Sequence, residues 1–340
     1  MGWKPIFVTR VFPTSTTINR YLSIAIMKKN TSDPVGTLTV GNVVSASTTL
    51  YKSNFKRYFQ VSLRAVGWLL AIGLSVVAPV FLGAVLFGLT NSWLLVFPLV
   101  VAWIAFVLYC SAKCSTNRGV ISRLAYQDLI NQPETITAAT SALAPRTWGF
   151  FRLSWLVGFC LALVTIVGYL VFALVIGFSA WMLTILNLVA NPLVMVLAVL
   201  VAIALFCYWI FSIIRYYSYW FVAELPMAVE STNSASVSMR RSRELSNAMV
   251  GRLQLIIFIA FLITIPISMI ANLPSIVGQV MASPALNPTE AAKLTGNTLV
   301  AVGSLLGLAS ELFIMPFWQV IKAVIYYDLR NRREGSDLVI

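Results

Sequence analysis

The stretch LSWLVGFCLALVTIVGYLVFALVIGF, residues 153–178, decides the fold of this chain. It holds no charge, and it exceeds the ~20 apolar residues that, at ~1.5 Å each, cross a ~30 Å hydrocarbon layer. No acid or base follows it until Arg215. A soluble helix of that length needs polar side chains on its outward face, and this one has almost none. Its solvent is therefore lipid.

Comparable apolar windows lie at 63–89, 93–112, 152–178, 191–214, 252–272 and 298–327. Together they predict an all-α integral membrane protein with six transmembrane helices. Composition agrees: 59% of the 340 residues are hydrophobic and only 10% are charged, too apolar a balance for an ordinary soluble domain. Six spans return both termini to one side.

The charges then sort by face. Residues 1–62, 113–151, 215–251 and 328–340, with the flanking Arg64, Arg152, Arg252 and Lys322, contain every Lys and Arg except Lys293. By the positive-inside rule that face is cytoplasmic, and a bacterial inner membrane is the expected location. The opposite connections are nearly uncharged: TNSW near 90–93, a stretch near 179–190, and a longer predicted loop at 273–297 with only Glu290 and Lys293. A net charge of +13 is thus explained by orientation, and nucleic acid is not an expected partner. Tyr and Trp gather where spans meet the charged face, as at 208–220 and 326–327, the usual place for an aromatic belt.

The chain contains no His, which removes the commonest general base and metal ligand. Cys110, Cys114, Cys160 and Cys207 form neither a CxxC nor a zinc pattern and read as small buried apolar side chains. No metal or cofactor is expected. The first 26 residues are basic and rich in Ser and Thr but lack the apolar core of a signal peptide. With Met27-Lys-Lys-Asn behind them, they read as a tail or as a start assigned too early.

The ends of the even-numbered spans share a pattern: YQDLINQPE at 126–134, WFVAELPMAVE at 220–230 and YYDLRNRRE at 326–334. Each has an acid, Leu, four residues and Glu, which matches Asp128, Glu224 and Asp328, and likewise Glu134, Glu230 and Glu334. In a chain with 11 acids, that agreement points to an internal repeat. Arg57, Arg152 and Arg252 mark the starts of the odd-numbered spans in the same rhythm. The sequence therefore divides into a tail at 1–40 and three parallel helical hairpins at 41–135, 136–235 and 236–340. Each hairpin is led by an amphipathic segment on the cytoplasmic face. Lys52, Lys56 and Arg57 in the first, and Arg240, Arg241 and Arg243 in the third, suit a helix lying on anionic lipid. Packing of the same segments on neighbouring spans is the open alternative.

The ending PFWQVIKAVIYYDLRNRREGSDL, with FVAELPMAVE and the Arg-rich ASVSMRRSRELSNA, resembles a broad set of poorly characterised bacterial polytopic membrane proteins. It is similar to the membrane domain that accompanies some glycerophosphoryl diester phosphodiesterases. The likeness covers the last third best. It implies a membrane module; the catalytic barrel of those enzymes, with its His and metal-binding carboxylates, has no counterpart in this sequence.

Among residues that bear on chemistry, the repeated acids suit ion pairs with arginines of the next amphipathic segment better than catalysis. Glu311, in LASELFIMPFW, falls near the middle of the last apolar window, where an ionisable group is costly and is a functional candidate. Pro79, Pro98, Pro266 and Pro316 free backbone carbonyls that line cavities in some broken helices and simply kink others. Gly303 and Gly307 form a GxxxG packing face. The expected function is a non-catalytic membrane scaffold or lipid-interacting module, its partners anionic lipids at the cytoplasmic face, with a protein partner or second copy left open. The alternatives are a small-solute or ion transporter using Glu311, and a membrane component of a glycerophosphodiester phosphodiesterase system. A polar cavity reaching Glu311 favours transport; a dry bundle with a basic face favours the scaffold.

Overall fold

The computed structural model describes residues 39–76, 79, 82–85, 88, 93–187, 191–230, 234–284 and 288–336. The tail at 1–38, with Met27, and the side chain of Glu334 lie outside the described residues. Among those described, the chain is 92% helical without a strand, so the class is all-α, and six helices are long and apolar enough to cross a membrane.

Ten α-helices carry the description: α1 (Val40–Ser53), α2 (Phe55–Ser75), α3 (Trp93–Leu129), α4 (Ile136–Leu143), α5 (Thr147–Ile185), α6 (Pro192–Trp220), α7 (Glu224–Val229), α8 (Ala235–Ser246), α9 (Val250–Met281) and α10 (Glu290–Ser336). Turn chemistry sets their ends. After α3, Asn131 takes a φ of 59° and the Gln132 N–H closes on the Gln127 carbonyl at 2.9 Å, a left-handed cap of the Schellman kind. Asn187, φ 53°, ends α5. Asn191 and Pro192 start α6, with the Asn191 side chain accepting from the Leu193 N–H at 3.0 Å.

Two features differ from the sequence reading. The connection expected over 273–297 is mostly helix, since α9 runs on to Met281 and α10 begins at Glu290. The segment 273–281 is apolar, and Glu290–Lys293 favours helix once Thr289 caps it through the Ala292 N–H at 3.3 Å. Secondly, α3 and α10 continue well past their apolar windows. At ~1.5 Å per residue both outrun a bilayer, so their charged ends stand beyond it.

Short helices precede long ones three times: α1 before a break at Asn54, α4 before a 3-10 turn at Ala144–Arg146, and α8 before a 3-10 turn at Asn247–Met249. Each short helix packs on helices elsewhere in the chain. Helix α4 lies on α3; α8 lies on α5, α6 and α7; and α1 lies on α9 and α10. For α1, packing is the reading the contacts favour: Val43 and Ser47 are fully buried.

Burial is uneven along the long axis. Val61, Ala65, Cys110, Ile121, Leu124, Leu225, Met227, Val320, Val324 and Tyr326 are all buried to within about 1%, and all belong to the charged ends of their helices. The apolar halves are open: Leu174 is 71% exposed, Leu193 75% and Ile270 74%. An apolar surface of that extent is stable only against hydrocarbon. The α5–α6 hairpin is the extreme case, with no buried residue in its most apolar stretches. In contrast, α9 and α10 approach closely. A Cβ on Gly303 would sit 2.2 Å from the Ser275 backbone nitrogen, and one on Gly307 2.8 Å from Asn272 Oδ1; the small residues permit that contact.

Candidate functional site

The charged end is built where the outgoing helices α3 and α10 meet each other and the short α7. Tyr126 and Tyr326 touch edge to face there, ring centres 5.7 Å apart, and both are buried. Arg330 donates to the Tyr126 hydroxyl at 3.1 Å. The buried Ser122 hydroxyl donates to Gln319 Oε1 at 2.8 Å, joining α3 to α10 through a polar pair satisfied inside the protein.

Each described acid of the repeated pattern has a cation. Asp128 takes a two-pronged donation from Arg57 at 2.9 and 3.1 Å and a third bond from the Tyr58 hydroxyl at 2.9 Å; its side chain is 4% exposed. Glu134 pairs with Arg123 at 2.7 Å, and its carbonyl accepts from Arg57. Glu224 pairs with Lys322 at 3.1 Å. Glu230 accepts from the Tyr326 hydroxyl and lies 3.6 Å from Arg241. Asp328 is flanked by Arg252 at 3.4 Å and Arg332 at 3.1 Å. The partners differ from the arrangement anticipated. Among the described residues only Glu230–Arg241 joins an acid of the pattern to the short helix that follows it, whereas Asp128 and Asp328 reach back to arginines at the starts of α2 and α9.

Three cations in this layer gave no sign of their role in the sequence. Arg123 donates to the Ala228 carbonyl at 3.0 Å and Arg146 to the Met227 carbonyl at 3.2 Å. They satisfy carbonyls that the end of α7 leaves open. Lys322 also lies over the Phe221 ring at 5.6 Å. These pairings span about a hundred residues of sequence, and no local spacing announces them.

Glu311, the intramembrane candidate, stands on α10 five residues before Pro316. It acts electrostatically on Cys114, as do Arg118 and Glu224. It is half-buried and makes no hydrogen bond or ion pair among the described residues. Arg118 Nε and Glu224 Oε2 are buried nearby without hydrogen bonds. Two concavities are lined by residues other than Glu311. One is a wholly apolar groove on α6, lined by Met195, Val196, Val199 and Leu200. The other, about 380 Å³, lies between the Asn247–Met249 turn and the end of α10, where Arg332 and Arg333 line it.

The carbonyl region loosened by Pro316 is occupied. The Tyr51 hydroxyl, from α1, donates to the Phe313 carbonyl at 3.1 Å, one residue from the carbonyl that Pro316 leaves without its helical partner. Tyr51, Phe55, Phe59, Phe313 and Phe317 stack around it. Burial pushes the Tyr51 phenol up to about 12, so it remains a donor throughout the physiological range.

The basic residues singled out at the boundary divide into two sets. Arg57, Arg241 and Arg252 are tied to acids, as described. Lys52, Lys56 and Arg152 are exposed and make no ion pair among the described residues, while Arg240 reaches Glu244 at 3.7 Å across an exposed surface and Arg243 lies over the Tyr219 ring at 5.7 Å. Around Arg152 the exposed Trp148 and Trp155 flank Phe151 in a row of ring contacts. Compared with models of known protein families, with curated proteins and with solved structures, the chain matches none.

Proposed function

We propose that this protein is a non-catalytic, lipid-interacting membrane scaffold whose working surface is its charged layer. The observation that carries the reading is the division of its charges. The described repeat acids are each engaged by a cation or a phenol, which fits a framework, while Lys52 and Lys56 stand exposed along the Tyr51–Phe55–Phe59 ring row and Arg152 stands exposed beside Trp148 and Trp155. Unpaired cations with aromatic neighbours suit phosphate headgroups.

Three parallel hairpins account for this layer economically. Each leading helix packs on the hairpin before it: α4 on the first, α8 on the second, and α1 on the third, closing the circle. In this reading the charged layer is cytoplasmic and the membrane is the inner membrane of a bacterium, anionic lipid being the partner. A role as the membrane component of a phosphodiester-cleaving system is a narrower form of the same proposal.

Lipid analysis tests it. The chain extracted in mild detergent should carry anionic phospholipid at several times its share of the parent membrane. A retained-lipid composition equal to that of the bulk membrane would end the proposal.

A second reading, ion or small-solute transport, draws on Glu311, a half-buried acid of α10 that makes no ion pair among the described residues. It predicts that the protein in liposomes passes a cation or proton current that Glu311→Gln abolishes without loss of fold. Liposomes as tight as empty ones would dismiss it.

A further inference from the structure

Arg64 and Lys113 are the two charges that bracket the first apolar hairpin, with none between them in sequence. Helices α2 and α3 are antiparallel, and two contacts fix their register. The Trp68 and Tyr109 rings meet edge to face at 5.8 Å, and Trp103 Nε1 donates to the Ser75 hydroxyl at 3.1 Å. In antiparallel helices, one turn toward the charged end is four residues earlier on α2 and four later on α3. From Trp68 that step reaches Arg64, on the same face as the ring; from Tyr109 it reaches Lys113. The two cations therefore stand level, directly above a ring pair that lies where apolar helix gives way to charge.

Among the described residues neither cation is paired with an acid. Arg64 is exposed and makes no hydrogen bond or ion pair among the described residues. Lys113 lies 5.5 Å from the centre of the Tyr109 ring and likewise has no acid. Two like charges level on neighbouring helices, with no acid paired to either among the described residues, repel, and every described acid of the framework is already engaged elsewhere. Tyr109 is 44% exposed, so the ring floor is open to the bilayer.

The second hairpin lacks this arrangement. Contacts of Tyr169 with Trp209 and of Phe172 with Phe206 set a register in which Arg215 is level with about residue 163, roughly three turns of helix from Arg152. In the third, Arg252 is paired with Asp328.

We infer that Arg64 and Lys113, over the Trp68–Tyr109 pair, form a binding site for the phosphate of an anionic glycerophospholipid, whose acyl chains descend along the open faces of α2 and α3. The inference rests on the proposed lipid-interacting function and narrows it to one headgroup site. The rings fit the glycerol backbone at the level where aromatic side chains prefer to sit, and the forked guanidinium suits phosphate oxygens.

Native mass spectrometry of the full chain in detergent, titrated with phosphatidylglycerol or phosphatidylcholine, tests it. Wild type should favour phosphatidylglycerol. Arg64→Gln and Lys113→Gln should each weaken that binding about fivefold, and the double variant about thirtyfold, as expected for cations that each attract anionic lipid at a membrane surface. Arg64→Lys should largely retain it. Lys52→Gln with Lys56→Gln should change it less than twofold. No preference in wild type would overturn both this site and the broader reading. A preference that survives Arg64→Gln/Lys113→Gln would overturn this site and leave the broader reading standing. Displacement of the lipid by millimolar inorganic phosphate would overturn the lipid assignment in favour of a free anion. All these residues are exposed or half-exposed, so unchanged thermal midpoints are expected.

Discussion

Asp128 is fixed by Arg57 and Tyr58 in a setting that leaves its side chain 4% exposed, and removal of one member of such a pair strands the other. Asp128→Asn should cost about 3 kcal/mol, read as reduced folded yield and a lower thermal midpoint in detergent; an unchanged midpoint would deny the acid its framework role. Tyr51 gives a prediction in pH. Its phenol titrates near 10 when unfolded and at about 12 when folded, so folding favours the protonated form. Its contribution is complete below pH 10 and disappears as pH rises toward 12. Wild type should lose stability across that interval by more than Tyr51→Phe does, and parallel alkaline melting curves would exclude the effect. At this scale the sequence was partly legible. The acids announced themselves by repetition, and Arg57 and Arg252 by position. Tyr51, Arg123 and Lys322 did not, because their partners lie on helices that only the tertiary fold brings near.

Helices α9 and α10 show what an element needs in order to pack in lipid, where apolar side chains gain little from leaving one apolar medium for another. Close approach must supply the attraction, and Gly303 allows it. Gly303→Ala places a methyl 2.2 Å from the Ser275 nitrogen, so the helices must separate. The expected cost is about 1–3 kcal/mol, measured as a fall in thermal midpoint; Gly41, whose added Cβ would meet nothing, is the control position. The GxxxG spacing made this face visible beforehand. Helix limits were less legible. Hydropathy reports where a helix is apolar, and α3 and α10 continue into charge-bearing turns, packed against one another, where hydropathy falls silent. The connection at 273–297 misled for the converse reason: a low charge count does not distinguish a loop from a helix with polar turns such as Glu290–Lys293.

For the whole molecule, side preference is directly measurable. In a background without cysteine, Lys52→Cys and Arg240→Cys should react with a membrane-impermeant maleimide from one side and Lys293→Cys from the other; labelling of all three from one side would overturn the six-span topology. The number of spans was legible because a bilayer sets a length that any apolar run must meet. The position of the packed core was not, since nothing in composition says that the tightest burial lies among the charges. That placement governs how the protein comes apart. With interlocked side chains gathered at one end and the α5–α6 hairpin nearly bare, amide exchange should be slowest at Val320–Tyr326 and Ile121–Ala125 and fastest at the far tip of that hairpin, near Ile185. Stripping lipid should therefore fray the protein from its most hydrophobic end inward, leaving the polar root as the last ordered part.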